Sequence, residues 1–315
     1  MRLAILLFVT GGLISTAYAN APSTYLGTWV LRIGDRNLFV LKLETADDHI
    51  AGSFDRPSGF LMTGGVFAIE DNATRHSNIV EASLEKDAFV FTVVNEKNAL
   101  DRDRYRMRVA EDQASLSFAD IPPEAGPDPW IFHRAIKPQF VANDWQPNRS
   151  YVVGDTDTSN DAMKAIFDAD QAARQNPPSN WDALRKADSM RREKTTALLA
   201  AGALHTGDDF ERAAFIFQHG ENADDYLLAH TLALIAVSKG RPLAVWIASA
   251  TLDRYLQSIG KTQIYGTQFH QLPNQKPTQE PYNRKLISDA LRSQLGVPSQ
   301  AAQEKHVAAM AAVTR

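Results

Sequence analysis

The chain has 315 residues, of which 44% are hydrophobic, 22% charged and 9% aromatic. This composition excludes a disordered, collagen-like or fibrous chain and fits one or two globular domains. Lys and Arg number 33 against 37 Asp and Glu, a net charge of -4 without long basic runs, so we expect no nucleic-acid partner. The chain has no Cys, which excludes disulfides, thiolate metal sites and thiol nucleophiles.

The first segment of the chain has the pattern of a secretory signal peptide. Arg2 precedes an apolar run that begins at Leu3, and the small residues Ala17 and Ala19 fit the A-x-A cleavage rule. The run is short for a spanning helix, although an uncleaved membrane anchor is the alternative. We therefore expect a signal peptide at residues 1–19, export to the periplasm or the extracellular space, and no membrane span after cleavage.

Residues 24–135 alternate apolar and polar positions with a period of two, which predicts a β-rich domain of antiparallel strands. A sheet of about nine short strands must close or fold over to protect its edges, so we predict a barrel or a sandwich. Gly27-Thr28-Trp29 resembles the glycine-x-tryptophan opening of lipocalin-like barrels, and this resemblance implies a shape, not a ligand. The predicted strands cover residues 27–33, 37–44, 49–54, 60–69, 78–84, 88–94, 104–110, 115–119 and 130–134.

Basic residues of the β-rich domain have two interpretations. Arg104, Arg106 and Arg108 share one face of a predicted strand and could meet an anionic ligand or the second domain. The alternative is a solvated outer face. The His residues of this domain show no metal-ligand spacing, and we assign no role to His49, His76 and His133.

The second half of the chain reads as helical. Periodicity is lost between residues 136 and 160, which predicts a linker, and residues 161–315 show helix start and stop signals. We predict an all-α domain of helical hairpins similar to Sel1 or tetratricopeptide arrays, without a repeat of fixed period. The predicted fold class is therefore α+β with two domains. The helices are predicted at residues 161–175, 181–201, 206–219, 222–240, 242–260 and 281–296 and from residue 299 onward.

Charged residues interrupt apolar helix faces in this half. Asp170 and Arg174 continue an apolar stripe of one helix, and Asp253 and Arg254 end the stripe of another. His219 ends a helix that is apolar all round and therefore buried. The alternative for each pair is a helix-surface contact worth about 0.2 to 0.5 kcal/mol. Because buried charges need partners, we predict that these residues share one polar pocket.

The same residues belong to an ordered set of motifs. The motifs are Asp170-Gln171-x-x-Arg174, Gln218-His219, Asp253-Arg254 and Gln263-x-Tyr265-Gly266-Thr267-Gln268. In this order and spacing, the region from Ala162 to Phe269 resembles a widespread family of bacterial domains whose activity is not known. The resemblance implies that these polar residues belong together, and it implies no substrate. Gly220 departs from the family, in which Ala is frequent at that place.

These residue types suit a small polar, anionic or peptidic ligand. Arg174 and Arg254 offer planar forks for a carboxylate or phosphate, and an Asp could orient the His219 ring. We predict an exported envelope protein that binds such a ligand. The alternative is a hydrolase in which His219 and Asp253 are catalytic and His219 is the general acid or base. The ligand-binding residues are predicted to be Asp170, Gln171, Arg174, Gln218, Arg254, Tyr265, Thr267 and Gln268.

We predict no cofactor and no metal ion. A metal site from His219, Glu221, Asp224 and His230 is conceivable, but its two His lack the i,i+4 spacing that places ligands on one helix face. We interpret His230 as a core histidine with a satisfied ring. The sequence leaves the oligomeric state open and does not decide whether the chain is an enzyme.

Overall fold

A computed structural model describes residues 23–46, 49–122, 124–175, 180–272 and 275–313. The signal peptide predicted at residues 1–19, the residues Asn176-Pro177-Pro178 that follow the first predicted helix, and the His49 side chain lie outside the described part. Eleven strands are present there: β1 Gly27–Ile33, β2 Arg36–Ala46, β3 His49–Pro57, β4 Phe60–Thr63, β5 Val66–Ile69, β6 Thr74–Glu85, β7 Ala88–Asn95, β8 Asn98–Ala110, β9 Gln113–Phe118, β10 Trp130–Ala135 and β11 Ser150–Val152.

Eight of these strands form a closed antiparallel barrel, which confirms one of the two architectures that the alternation predicted. The order around the barrel is β1-β10-β9-β8-β7-β6-β3-β2. Apart from the β4 and β5 excursion, each strand therefore neighbours the next along the chain, and closure removes every exposed edge. The interior is packed with rings, among them Phe39, which lies 5.0 Å from Trp130 and 5.7 Å from Phe54 between ring centroids.

The structure shows what Gly27 and Trp29 of the Gly27-Thr28-Trp29 sequence do at the start of β1. Trp29 is fully buried, and the Arg134 guanidinium of the last barrel strand lies 4.1 Å from the centroid of its ring. The same guanidinium donates to the carbonyl oxygens of Leu26 and Thr24, at 2.6 and 2.7 Å. Gly27 has φ +119°, and a Cβ there would lie 3.0 Å from Arg134 Nη1. The glycine thus lets Arg134 fix the start of β1 to β10.

The prediction of one continuous strand over residues 60–69 is wrong, because the segment forms two strands. The chain turns at Gly64 and Gly65, whose φ angles are +56° and +79°, and this turn divides the segment into β4 and β5. These two strands leave the barrel and pair in a separate three-stranded sheet of order β11-β5-β4. Strand β11 is short and lies in the segment that was predicted to be a linker.

Seven α-helices follow within the described residues, as the caps and stops in the sequence predicted. Successive helices α1 to α5 pack against one another around a core rich in Ala, and α1 also contacts α3. Thr206 forms a capping box with Asp209 at the start of α3, and Asn222 caps α4. The helices are α1 Asp161–Gln175, α2 Trp181–Ala200, α3 Gly207–Phe217, α4 Ala223–Ser238, α5 Val245–Ser258, α6 Asp289–Gln294 and α7 Gln300–Val313.

The helix predicted at residues 281–296 is much shorter than expected. Only α6 is helical there, because Ser288 caps it and Tyr282 lies in an extended bridge to Gln263. No helix of the described residues is both long and apolar enough to cross a membrane.

The chain divides into two compact units. One contains residues 36–59 and 71–145 and most of β1, and it holds the barrel. The other contains residues 33–35, 60–70 and 146–315, and it holds the small sheet and the helices. The segment 146–160, predicted as linker, therefore lies within the helical unit. Whether either unit folds alone stays a prediction.

Candidate functional site

The first element of the site is the last part of α1. Asp170 is 1% exposed, and burial raises the pKa of its carboxyl group while Arg174 and Arg191 oppose that rise. Gln171 Nε2 donates to Asp170 Oδ2 at 3.1 Å. Arg174 lies one turn farther along the helix, and its Nη2 is 3.5 Å from Asp170 Oδ1. The charged residue that interrupts the apolar face of α1, Asp170, is thus a buried carboxylate with hydrogen-bond donors beside it.

Helix α2 supplies residues that the sequence did not single out. Arg174 Nη2 donates to both oxygens of Asp188, at 2.9 and 3.0 Å. Arg191 pairs with Asp188 and also lies 3.3 Å from Asp170 Oδ1 through its Nε. Two carboxylates and two guanidinium groups therefore alternate between α1 and α2. The available signal was the Asp188-x-x-Arg191 spacing, which places both side chains on one helix face.

His219 lies beside this pair of helices. Arg174 Nε donates to His219 Nε2 at 3.2 Å, and Gln218 Nε2 lies 3.4 Å from the same nitrogen. Since Nε2 accepts, the proton of the neutral ring belongs on Nδ1. Burial, followed by the positive charges of Arg174 and Arg254, lowers the pKa of His219 to about 3. The ring is 21% exposed, so solvent reaches part of it.

Two arginines bind the carbonyl end of α3. Arg254 Nη1 donates to the Gln218 carbonyl at 3.0 Å, and Arg192 Nη1 donates to the His219 carbonyl at 2.7 Å. Cations are stabilised at this end by the helix dipole. Arg192 also contacts carboxylates of Glu221 and Asp225, at 3.4 and 3.7 Å. Burial lowers the pKa of Arg254, and its buried Nε has no hydrogen-bond partner among the described residues.

We call this group the His219 cluster. It consists of Asp170, Arg174, Asp188, Arg191, His219 and Arg254.

Asp253 has a different environment from its neighbour Arg254. It is fully buried and accepts four hydrogen bonds, from the backbone N–H groups of Ile264, Tyr265 and Thr267 and from the Thr267 hydroxyl, at 2.7 to 3.1 Å. These donors occupy both carboxylate oxygens. The structure therefore places Asp253 with the loop that follows α5 and does not bring it to His219.

The loop of residues 263–268, which we call the YGTQ loop, is held by hydrogen bonds to α5, to Tyr282 and to helices α6 and α7. Gln268 Nε2 donates to the Ala250 carbonyl and to Thr267 Oγ1, each at 3.0 Å. The Tyr265 carbonyl accepts from Arg292, Tyr282 and Gln303. Gly266 has φ +81°, and a Cβ there would lie 2.2 Å from Gln303 Oε1. The predicted ligand-binding residues Tyr265, Thr267 and Gln268 thus lie in a loop whose polar groups are hydrogen-bonded within the protein.

The conceivable metal site does not form in the described residues. No group of three His, Asp or Glu side chains there is arranged to hold a metal ion. His230 Nδ1 lies 2.9 Å from the Ala248 carbonyl, the contact expected of a ring satisfied inside a helix bundle. Glu221 and Asp224 are exposed.

The arginines of β8 for which the sequence allowed two interpretations include two that form ion pairs with acidic residues of the barrel unit. Arg104 contacts Glu85 and Asp120, at 3.0 and 3.2 Å, and Arg108 contacts Asp87 at 3.0 Å. These residues are well exposed, so such pairs contribute little to stability.

A polar cavity of about 350 Å³ lies in the same unit and includes Arg75, His76 and Lys97 in its lining. His76 pairs through Nδ1 with Asp55, its direct partner in the register of β3 and β6. An exposed cross-strand pair of this kind is ordinary in a sheet. We therefore place the candidate site at the His219 cluster.

Comparison with known proteins gives no relative for this chain. No family model matches it, and neither the curated proteins nor the solved structures contain a significant match. The two family resemblances of the sequence therefore stay predictions, and function has to be argued from the residues.

Proposed function

We propose that this protein is an exported envelope protein that binds a small polar, anionic or peptidic ligand at the His219 cluster. The observation that carries the proposal is the convergence of α1, α2 and α5 on Gln218-His219 at the end of α3, where the imidazole remains 21% exposed. Buried charged groups are costly, so a cluster of them around a solvent-accessible ring favours a binding role over packing alone.

Export rests on the sequence pattern of residues 1–19. If the pattern acts as a signal peptide, the mature chain isolated from the cell envelope or medium begins at Asn20. N-terminal sequencing measures this directly. A chain that retains Arg2 and sediments with membranes would favour the anchor instead.

The hydrolase alternative is weaker for a chemical reason. A His acts as a general acid in its imidazolium form, and a ring with a pKa of about 3 is neutral at working pH. As a base, such a ring has little proton affinity. Asp253, the predicted partner of His219, is occupied by the YGTQ loop. Binding is therefore the better-supported function, and hydrolysis stays the second candidate.

Finer features of the fold belong to this proposal as well. The packing of successive helices α1 to α5 is compatible with Sel1-like or tetratricopeptide-like hairpins, and the eight-stranded barrel is compatible with a lipocalin-like one. The motif set that resembles the bacterial family includes four residues of the His219 cluster, Asp170, Arg174, His219 and Arg254, which supports a common role for them.

The test is a binding screen with the full mature chain. Native mass spectrometry after incubation with a periplasmic extract should show a bound small molecule. His219→Gln should weaken its affinity by about 10-fold or more, the cost of one buried partner lost. The control is His270→Gln, at an exposed ring outside the cluster.

The same screen separates the two functions. A binder leaves the small molecule intact, whereas a hydrolase converts it with time, and His219→Gln then lowers turnover by roughly 100-fold. An affinity that is equal in wild type and His219→Gln, without turnover, would refute both.

A further inference from the structure

We propose that the group recognised at the His219 cluster is an oxyanion, a carboxylate or a phosphate, held between Arg174 and Arg254. This inference rests on the proposed function and specifies its ligand. It is carried by the hydrogen-bonding capacity that the two guanidinium groups leave unused.

Each of the two arginines has one anchored edge and one unused donor. Arg174 is fixed through Nη2 to Asp188 and through Nε to His219, while its buried Nη1 has no hydrogen-bond partner among the described residues. Arg254 is fixed through Nη1 to the Gln218 carbonyl, while its buried Nε is unpaired in the same sense. Buried N–H donors without partners are rare in native proteins, so these two donors favour an acceptor supplied by a ligand.

The charge balance points to the sign of that acceptor. Asp188 and Asp170 each form ion pairs with both Arg174 and Arg191. The positive charge of Arg254 has no carboxylate within ion-pair distance in the described part of the chain, where its polar contact is the neutral Gln218 carbonyl. The cluster is thus electropositive at Arg254, and an anion would complete it.

The position of His219 fits the same ligand. Arg174 Nε donates to the ring and Arg254 Nη1 donates to the carbonyl of the preceding residue, Gln218, so both cations lie close to this partly exposed side chain. A neutral ring adds no charge of its own, and its Nδ1 proton is a further donor of the kind that oxyanions accept. Fixed donors of this type bind an anion without an added ordering cost.

A purely structural role for Arg254 is the competing explanation. A guanidinium at the carbonyl end of α3 stabilises that helix end by itself. That role accounts for Nη1 and does not account for the unpaired Nε. The two explanations differ in what they predict for a lysine, which keeps the charge and the carbonyl contact but loses the Nε donor.

The experiment titrates the full mature chain with defined anions by calorimetry at constant ionic strength in chloride. The probes are inorganic phosphate, glycylglycine with its free carboxylate, and glycylglycine amide. We expect saturable binding of phosphate, of the free carboxylate or of both, and none of the amide. The relative affinity of the first two probes tells a phosphate source from a peptide or sugar-acid carboxylate.

Three variants locate the site. Arg254→Gln and Arg254→Lys should each weaken anion affinity by about 10-fold or more, because both remove the Nε donor. The matched control is Arg185→Gln on α2, where the arginine is 64% exposed and paired with Asp182. This control should bind as the wild type does. Arg254→Lys also serves if Arg254→Gln fails to fold.

Several results would overturn the inference. They are binding of neither anion, equal binding of the amide, or anion affinity unchanged in Arg254→Lys, which would leave Arg254 a helix cap only. If a neutral ligand still binds in a manner that depends on His219, the proposed function stands and the inference alone fails. If no ligand depends on His219, both fail.

Discussion

His219 is held in its neutral form by its surroundings. Burial and two adjacent guanidinium groups oppose a third positive charge, which is why its pKa falls to about 3. At the same place Asp170 has a raised pKa because it too is buried. A ring that resists its positively charged form carries protons poorly near neutral pH, so the cluster suits ligand binding better than acid-base catalysis.

The depressed pKa of His219 has a consequence for stability. Below about pH 6.5 the unfolded chain takes up a proton at this residue and the folded chain does not, so the free energy of unfolding falls by about 1.4 kcal/mol per pH unit until the folded pKa is reached. His219→Gln removes this contribution. We expect the loss of stability between pH 7 and pH 5 to be smaller by about 2 kcal/mol in the variant than in the wild type.

Urea unfolding at the two pH values measures that difference. Asp170 contributes with the opposite sign, because a raised folded pKa favours the folded state as the pH falls, but this contribution is present in both proteins. His270→Gln is the control at an exposed ring. The same pH dependence in wild type and His219→Gln would mean that the ring is not buried as described.

Part of the site was readable from the sequence and part was not. Asp170, Arg174 and His219 stand out because charged or titratable residues on apolar faces must be buried with partners. Asp188 and Arg191 do not stand out, since α2 carries charges on several faces and its sequence does not reveal which face is covered. The Asp253-Arg254 motif predicts a common role for the two residues, yet neighbours on a helix point about 100° apart and meet different partners.

At the scale of elements, α5 and the YGTQ loop depend on one carboxylate. Asp253 accepts three backbone N–H bonds and one hydroxyl bond from the loop. An amide in its place offers a single acceptor and turns its own N–H₂ toward donors. We expect Asp253→Asn to lower the free energy of unfolding by about 3 kcal/mol, the scale of buried donors left unpaired.

The matched control for this variant is Asp168→Asn on α1, an exposed carboxylate paired with Lys164 at 2.6 Å. Its change should stay below about 1 kcal/mol. Chemical denaturation measures both. If Asp253→Asn were as mild as the control while ligand affinity fell, Asp253 would act in binding, as the sequence first suggested, and not in holding the loop.

The elements that the sequence predicted well have a physical property in common. Barrel strands bury one face, so apolar residues alternate along their sequence. Helix starts are recognisable from N-cap residues such as Thr206 and Asn222. The misjudged elements lack that property. The β4 and β5 hairpin depends on the turn at Gly64 and Gly65, and the shortness of α6 depends on the bridge made by Tyr282. The first is a local turn signal that the prediction missed, and only the second is set by a tertiary contact.

The two compact units are not continuous segments of the chain. The hairpin of β4 and β5 is encoded between barrel strands β3 and β6, yet it belongs to the helical unit, where β5 pairs with β11. The segment between β10 and β11 is the natural place for cleavage, because Ile136 and Phe140 are 101% and 75% exposed.

Limited proteolysis with chymotrypsin should therefore cut first after Phe140 and give two pieces. We expect the pieces to remain associated, since the first carries β4 and β5 and the second carries β11, whose register joins Tyr151 to Phe67. Size-exclusion chromatography of the cut protein should give one peak, which separates into two only in denaturant. Replacement of Tyr151 by Pro, which removes a ladder donor and the buried ring, should release the pieces without denaturant. Separation of the wild-type pieces in native buffer would contradict the β5 and β11 pairing, and loss of circular dichroism from both would contradict two folded units.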